Sequence, residues 1–278
     1  MATTLQVPST DGVVVTVHDL GGNGPPALLA HATGFCGPVW RPLAAALEGV
    51  HCYALDFRGH GRTAGPDGFD YTWEAFADDV LAVVDGLGLD RAFGVGHSKG
   101  GASLLLAEER QPGTFRGLWC YEPVVFPPDV RAAGGDENPL AAGALRRRTD
   151  FPSAESAFEN FASKPPMDVF DARALAGYVE GGFITRDDGS VRLACRPEVE
   201  AQVYRMGGQH TAWEQLSQLD LPVAVVRGAL EPFTPSAVAD GIASQIPAGS
   251  LEVHDELGHF GPLQAPEAMA ASVQRRIR

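Results

Sequence analysis

The segment Gly96–Gly100 carries the pattern G-x-S-x-G, with a serine at its centre. A continuous apolar run, Ala92–Val95, precedes it and a helical pattern begins at Lys99, which is the strand–turn–helix setting that gives the pattern its meaning. The glycines leave room for a sharp turn whose central residue has a strained backbone. We therefore expect Ser98 to project from a sheet as a nucleophile, at a helix N-terminus whose amides favour developing negative charge. The glycine spacing fits neither a dinucleotide loop nor a P-loop, which excludes nucleotide binding at this segment.

A serine nucleophile needs a base, and His259 is the candidate. It lies in Leu257–Pro262, a loop that follows the last predicted strand. The resulting chain order of serine, acid and histidine is the one expected when the serine occupies this kind of strand–turn–helix motif. The pair His254 and His259 has the wrong spacing for a helical zinc motif, and Gly258 between them disfavours a helix. The other histidines near these segments, which we expect to be structural, are His31, His60, His97 and His254.

Two glutamates compete for the role of the acid that orients the histidine. Glu122 follows the predicted strand Gly117–Tyr121, and Glu231 follows the predicted strand Val223–Arg227 at the more usual position. A proline comes directly after each glutamate and ends the strand in both places. Both carboxylates are expected at the carboxyl-terminal rim of the sheet, where ligands bind in such folds. The sequence therefore leaves the choice between Glu122 and Glu231 open.

An oxyanion hole requires backbone N–H groups that point at the developing negative charge. The amide of Lys99 directly follows the nucleophile, which is the expected place for one donor. The second donor is expected from an early strand–helix loop, here His31–Gly37, which follows the apolar run Ala27–Ala30. We assign this second donor to the amide of Thr33.

The elements that must position these residues alternate between strands and helices after an N-terminal hairpin. Short, continuous apolar strands are typical of a mainly parallel sheet that helices cover on both faces, so we predict an α/β fold. The predicted strands after the hairpin are Ala27–Ala30, Cys52–Leu55, Ala92–Val95, Gly117–Tyr121, Val223–Arg227 and Leu251–Val253. The predicted helices between and after them are Trp40–Leu47, Thr72–Leu87, Lys99–Arg110, Ser236–Gln245 and Ala265–Arg276.

Between residues 127 and 206 this alternation stops and helical patterns take over. An insertion of this size is expected to be a cap or lid over a site on the sheet. We therefore predict an α/β core of residues 1–126 and 207–278 with a helical cap of residues 127–206. Aromatic side chains on or beside the cap either line an apolar pocket or pack the cap onto the sheet; they are Phe126, Phe151, Phe158, Phe161, Tyr178 and Phe183.

The chain has 278 residues and a formal net charge of −14. Such an acidic surface repels phosphate backbones and anionic lipid head groups, so we expect neither nucleic acid nor a membrane as a partner. The N-terminus does not resemble a signal peptide and no apolar run approaches about 18 residues, which predicts a cytoplasmic protein. The cysteines lack C-x-x-C spacing, which argues against a zinc site and a disulfide framework; they are Cys36, Cys52, Cys120 and Cys195.

Together these motifs resemble those of the α/β-hydrolase-fold serine hydrolases, of the esterase and lactonase type. The resemblance extends over the chain outside the cap and rests on the loop that contains His31 and on Asp56–Gly61, Gly96–Gly100, Gly228–Glu231 and Gly258–Phe260. It implies an α/β-hydrolase fold with a helical lid insertion, a catalytic triad and an oxyanion hole. It also implies that the chemistry needs no cofactor and no metal.

Two features depart from the pattern of that family. Its first loop usually begins His-Gly, whereas this chain has His31 followed by Ala32. Its acid is usually an aspartate, whereas both candidates here are glutamates. A glutamate directly after the strand that follows the nucleophile resembles the zearalenone lactone hydrolases, which supports Glu122 as an alternative to the more usual position.

These inferences predict a hydrolase that cleaves a carboxylic ester or lactone of a small, neutral and apolar substrate. Ser98 attacks the carbonyl, His259 transfers the proton and one glutamate orients the imidazole ring. Two alternatives use the same scaffold. A carbon–carbon bond hydrolase or lyase would retain Ser98 and His259, and a non-catalytic receptor for a small apolar molecule would also retain the pocket.

Overall fold

The molecule is built on a central eight-stranded sheet and a second, three-stranded sheet. The computed structural model describes residues 3–66, 71–130, 138–232 and 234–277. The strands are β1 (Thr3–Pro8), β2 (Val14–Gly22), β3 (Pro26–Ala30), β4 (His51–Asp56), β5 (Ala92–His97), β6 (Phe115–Tyr121), β7 (Asp150–Phe151), β8 (Phe183–Thr185), β9 (Val191–Leu193), β10 (Val223–Arg227) and β11 (Gly249–Val253).

The strand order of the large sheet places the candidate residues at one edge. The order is β1-β2-β4-β3-β5-β6-β10-β11, in which β2 is antiparallel to both of its neighbours. The six strands from β4 to β11 in this order are parallel to one another, so their carboxyl ends meet at the same edge. The mostly parallel sheet that the sequence predicts is therefore confirmed.

Helices cover both faces of this sheet. They are α1 (Arg41–Ala45), α2 (Trp73–Leu87), α3 (Lys99–Arg110), α4 (Pro139–Leu145), α5 (Ala154–Ala162), α6 (Ala172–Gly182), α7 (Pro197–Met206), α8 (Ala212–Gln215), α9 (Ala239–Gln245), α10 (Gly261–Gln264) and α11 (Pro266–Ile277). Side chains alternate between the two faces of a strand, and here each face contributes to a separate buried cluster. Leu28 and Ala30 belong to the cluster under α2 and α3, whereas Ala27 and Leu29 belong to the cluster under α1 and α11. Burial on both faces explains why the strands are continuous apolar runs.

The segment predicted as a helical cap contains more than helices. The helices α4 to α7 lie within it, as the helical patterns predict, but β7, β9 and β8 form a small antiparallel sheet that the sequence interpretation missed. These strands have only two or three residues each, which is too short for a hydrophobic period to show. Residues 131–137 of the predicted cap lie outside the described residues.

The cap segment packs closely against the loop that follows β3. A Cβ atom on Gly177 of α6 would overlap the carbonyl of Pro38, and a Cβ atom on Gly181 would come within 2.6 Å of the Pro38 ring. Glycine at these two positions therefore allows the helix to approach that loop. In the part of the chain that the structure describes, no helix has the length and apolar character needed to cross a bilayer.

Candidate active site

Ser98 and Glu122 leave adjacent parallel strands side by side. Their preceding residues, His97 of β5 and Tyr121 of β6, are paired in the sheet, and the Ser98 N–H donates a hydrogen bond of 2.9 Å to the Tyr121 carbonyl. Both residues have positive φ, 55° at Ser98 and 42° at Glu122, and they are two of the four non-glycine residues in the described chain with that conformation. Such a strained backbone persists only where surrounding contacts hold it in place, and residues of this kind cluster at functional sites.

Two glycines make the turn at Ser98 possible. A Cβ atom on Gly96 would come within 2.6 Å of the Gly101 backbone, and a Cβ atom on Gly100 would overlap the carbonyl oxygen of Ala30 at the end of β3. Even one methyl group would thus push α3 away from the sheet. The strand–turn–helix geometry that the G-x-S-x-G pattern predicts is present, with Ser98 at the N-terminus of α3.

Glu122 is the carboxylate that contacts the imidazole of His259. Its Oε2 lies 2.6 Å from His259 Nδ1, and its Oε1 accepts a hydrogen bond of 2.9 Å from the Gly228 N–H. Glu122 is fully buried, whereas the His259 side chain is 16% exposed. A carboxylate at Nδ1 holds the proton on that nitrogen, so in the neutral ring Nε2 carries the free lone pair that a general base needs.

The loop that carries His259 is held at several points beside Ser98. His97, which directly precedes Ser98, donates from Nε2 to the His259 carbonyl at 2.8 Å. The Tyr121 hydroxyl donates to the Gly258 carbonyl at 2.7 Å, and the Gly258 N–H donates to Gln264 Oε1 at 3.0 Å. These bonds fix the histidine backbone against the ends of β5 and β6, so the ring has little freedom to move away from the site.

Glu231 contacts the backbone of His259 instead of its ring. Its Oε2 accepts a hydrogen bond of 3.2 Å from the His259 N–H, and its side chain is exposed. The position of the two glutamates relative to their strands explains the difference. Glu122 directly follows the last residue of β6, whereas Glu231 comes four residues after Arg227, the last residue of β10, and has moved away from the sheet edge.

The segments that carry the two proposed oxyanion donors meet at this edge. Lys99 begins α3, and an amide in the first turn of a helix has no partner inside that helix. Thr33 lies in a turn just after β3, whose last residue, Ala30, pairs with Gly96 in β5. The loop with Thr33 therefore lies beside the turn that carries Ser98.

Both ends of this loop are fixed by buried side chains. His31 donates from Nδ1 to the Ala32 carbonyl at 2.7 Å and accepts at Nε2 from the Phe57 N–H at 3.1 Å. At the other end, the Gly37 N–H donates to a carboxylate oxygen of the buried Asp56 at 2.6 Å. His31 thus has the structural role that the sequence predicts, and the position of the loop does not depend on a glycine after that histidine.

Three fully or almost fully buried histidines surround the site in their neutral form. Burial lowers the pKa of His31, His60 and His97 well below the ordinary value of 6.5. The positive charge of Lys99 lowers the pKa of His31 and His60 further, and the neighbouring His259 does the same to the pKa of His97. Neutral rings at these positions can each donate one hydrogen bond and accept another, as His31 does.

Most aromatic side chains singled out in the cap pack against one another. The rings of Phe151, Phe161 and Phe183 have centroids 5.6–6.0 Å apart, and Tyr178 lies 5.5 Å from Phe161. Phe158 is partly buried against the same cluster. Cap packing, and not a pocket wall, is therefore the role of most of these rings.

A different set of aromatic residues lies directly beside His259, and the sequence interpretation missed it. This aromatic cluster consists of Phe35 from the loop after β3, Phe170 from the cap segment and Phe260. The Phe260 ring lies 5.2 Å from the His259 ring and 5.8 Å from the Phe35 ring. Its members come from three distant segments, so no local pattern predicts the cluster. The one signal in the sequence is that Phe35 and Phe260 each lie within a motif that also carries a candidate site residue, His31–Gly37 with Thr33 and Gly258–Phe260 with His259.

An ion pair of the cap segment contacts the loop after β3. Arg147 Nη1 donates to Glu200 Oε2 at 2.5 Å, and Arg147 Nη2 donates to the Tyr178 hydroxyl at 2.5 Å. A Cβ atom on Gly34, the residue after Thr33, would come within 2.8 Å of Glu200 Oε1. The cap segment therefore reaches the proposed oxyanion loop directly.

A cavity of about 480 Å³ lies at the opposite end of the sheet. Phe115, the first residue of β6, and Pro222, just before β10, line it together with Arg91 and Arg116. None of the candidate catalytic residues lines this cavity.

Comparison with known proteins agrees with this architecture. Residues 27–272 match the model of the alpha/beta hydrolase family. A putative carbamate hydrolase of Caulobacter sp. (strain K31) is 25% identical over 97% of both chains, and 3-oxoadipate enol-lactonase 1 of Acinetobacter baylyi is 23% identical over 95% of this chain and 92% of its own. The crystal structure of E-2-(acetamidomethylene)succinate hydrolase superposes with a TM-score of 0.81 at 23% identity, covering 99% of this chain and 98% of that one. The chain is a member of the alpha/beta hydrolase family.

Proposed function

We propose that this protein is a serine hydrolase that cleaves a carboxylic ester or lactone of a small, apolar substrate through an acyl-enzyme on Ser98. The observation that carries the proposal is the contact of 2.6 Å between Glu122 and His259 Nδ1 at the sheet edge where Ser98 has a φ of 55°. A buried carboxylate on the histidine and a strained serine at a helix N-terminus are the parts that nucleophilic acyl transfer requires.

The proposed reaction begins when Ser98 Oγ attacks the substrate carbonyl carbon and His259 Nε2 takes the hydroxyl proton. The negative charge on the carbonyl oxygen is bound by the amides of Lys99 and Thr33, a type of interaction in which each donor contributes about 3–4 kcal/mol. Glu122 orients the imidazole through its contact with Nδ1 and stabilises the imidazolium that forms. The tetrahedral intermediate then expels the alcohol, which receives the proton from His259.

The second half of the reaction regenerates the free serine. Water attacks the acyl carbon, His259 accepts one of its protons, and the Ser98 oxygen leaves with a proton returned by His259. For a lactone the alcohol and the acid belong to one molecule, so a hydroxy acid is the product. Every proton in these reaction steps is transferred between the substrate, water and the side chains of Ser98 and His259.

The surroundings of the site support a small, apolar substrate. The aromatic cluster of Phe35, Phe170 and Phe260 provides apolar surface beside His259. The net charge of −14 disfavours anionic substrates. The cap segment of residues 127–206 is proposed to cover this space, and its contact with the loop after β3 supports that role. The lactonase and the carbamate hydrolase among the relatives are consistent with attack on a carbonyl carbon.

The direct test is turnover of p-nitrophenyl acetate and butyrate and of a simple aliphatic lactone. We expect saturable hydrolysis by the wild-type protein and a loss of about 10⁴-fold or more in kcat for Ser98→Ala. Ser244→Ala is the matched control, because Ser244 is an exposed serine on α9 outside the site, and its kcat should remain at the wild-type value. Equal activity in Ser98→Ala and the wild type would overturn the assignment.

A further inference from the structure

The side chain of Lys99, the residue after the proposed nucleophile, lies in an unusual environment. It is fully buried, and its Nζ has no hydrogen-bond partner among the described residues. Nζ lies 4.2 Å from the centroid of the Phe57 ring and 4.4 Å from that of the Phe76 ring. A buried ammonium without a partner is costly, and two aromatic faces can offset part of that cost through cation–π attraction.

These contacts connect the two segments that carry the proposed oxyanion donors. The backbone N–H of Lys99 itself is one donor. Phe57, on which the Lys99 side chain packs, donates its own backbone N–H to Nε2 of His31 at 3.1 Å. His31 begins the loop that carries the second donor, Thr33. The Lys99 side chain thus lies between the first turn of α3 and the residues that anchor the loop.

We propose that the Lys99 side chain is a positioning residue: its charged Nζ, held between Phe57 and Phe76, fixes the peptide of residue 99 against the loop that carries Thr33. The inference rests on the proposed function, in which both amides bind the oxyanion. Its effect is therefore expected on the chemical step and not on the affinity for the substrate, because the oxyanion forms only in the transition state.

Among the residues that the structure describes, no carboxylate forms a direct ion pair with Lys99. The groups that face it come from the loop after β3, the last residue of β4 and the segment that follows it, α2 and the cap segment; they are His31, Asp56, His60, Asp79 and Cys195. The carboxylates of Asp56 and Asp79 are already hydrogen-bonded to other groups, His18 and Arg58 among them. Burial lowers the pKa of Lys99 to about 7. The charged form, and with it the attraction to the two rings, is therefore lost as the pH rises through this value.

The test compares Lys99→Met with the wild type in ester hydrolysis as a function of pH. At pH 6.5 we expect the substitution to lower kcat about tenfold while KM stays within about twofold, because an apolar chain of similar length cannot make the cation–π contacts. Between pH 7 and pH 9 the wild-type kcat should decline toward the Lys99→Met value, and the variant should show no such decline. Lys164→Met is the matched control, since Lys164 is exposed and is the only other lysine of the chain.

A second measurement keeps the inference testable if Lys99→Met does not fold. With only two lysines, ¹³C-lysine labelling gives one buried and one exposed side-chain resonance, and the Lys99 resonance must titrate in step with the wild-type kcat. Superimposable pH profiles for the folded variant and the wild type, or a Lys99 resonance that titrates out of step with kcat, would overturn the inference. Absence of ester turnover in the wild type would instead contradict the proposed function.

Discussion

Glu122 and His259 are separated by 137 positions in the chain, yet Oε2 of the one lies 2.6 Å from Nδ1 of the other. The contact exists because β5 and β6 are neighbours with His97 opposite Tyr121, so that the serine and the glutamate emerge together. The loop that carries His259 is then tied to both strand ends, by His97 through a bond of 2.8 Å and by Tyr121 through one of 2.7 Å to Gly258. The position of the proposed acid is thus set by the pairing of β5 with β6, because Glu122 directly follows the last residue of β6.

Replacing Glu122 by Gln should abolish most of the activity. A glutamine amide cannot hold the proton on Nδ1 in the way a carboxylate does, so the imidazole adopts the wrong tautomer, an effect of about 10⁴-fold in a comparable triad. We expect kcat to fall by about 10³–10⁴-fold in steady-state ester hydrolysis. Glu231→Gln is the matched control, because the Glu231 carboxylate accepts from the His259 N–H whereas the described contact with the His259 ring is made by Glu122, and its kcat should stay within about tenfold of the wild type. The reverse ranking of the two variants would mean that Glu231 is the acid.

Adding one methyl group at Gly100 should damage both the fold and the activity. The new Cβ would overlap the Ala30 carbonyl and force α3 away from β3, which we expect to lower the free energy of unfolding by about 3 kcal/mol or more. Gly143→Ala is a suitable control, since Gly143 lies in α4, where the new Cβ would meet no described atom within 4 Å beyond its chain neighbours and its own helix backbone, and alanine favours a helix. Urea denaturation of the two variants measures the difference, and equal midpoints would contradict the tight contact at Gly100.

Removing the Tyr121 hydroxyl should loosen the histidine loop. Tyr121→Phe leaves the Gly258 carbonyl without its bond of 2.7 Å, a change typically of about 1 kcal/mol, and lets His259 move relative to Ser98. We expect a drop in melting temperature of a few degrees and a several-fold lower kcat. The corresponding substitution Tyr53→Phe, at a partly buried residue of β4 outside the site, should leave kcat unchanged. A wild-type kcat in Tyr121→Phe would show that the loop does not need this bond.

The buried histidines make the folded state sensitive to acid. The pKa values of His31, His60 and His97 are lowered well below 6.5 in the folded protein, whereas in the unfolded chain these side chains regain their ordinary pKa. As the pH falls below about 6.5, the unfolded chain binds protons that the folded protein does not, so the free energy of unfolding decreases. We expect the melting temperature to decrease from pH 7 to pH 5. His60→Gln should reduce this slope, and a melting temperature independent of pH in this interval would contradict the prediction.

The fold could be predicted from the sequence because its signals are local, and local signals also single out the candidate site residues. Apolar runs that alternate with helical patterns predict a parallel sheet, and the glycines around Ser98 predict its sharp turn. The identity of the acid depends instead on strand neighbours. Only the pairing of β6 with β5 shows why Glu122 reaches the histidine ring, and only the four-residue extension beyond β10 shows why Glu231 does not.

The features that the sequence did not reveal depend on contacts between distant segments, or belong to strands too short to show a hydrophobic periodicity. The strands β7, β8 and β9 have two or three residues each, so they carry no recognisable alternation. The aromatic cluster beside His259 joins Phe35, Phe170 and Phe260 from three parts of the chain. The position of Lys99 Nζ between two rings likewise depends on the packing of α2 against α3, which composition cannot reveal.

The most direct test of the central claim is the site of covalent labelling by a fluorophosphonate probe. Wild-type protein is incubated with the probe, digested and mapped by tandem mass spectrometry, with Ser98→Ala and Glu122→Gln treated in parallel. We predict a single adduct on Ser98 in the wild type, none in Ser98→Ala, and labelling of Glu122→Gln that is slower by at least about 10²-fold, because the histidine no longer activates the serine. An adduct on another residue, or undiminished labelling of Ser98→Ala, would contradict the account.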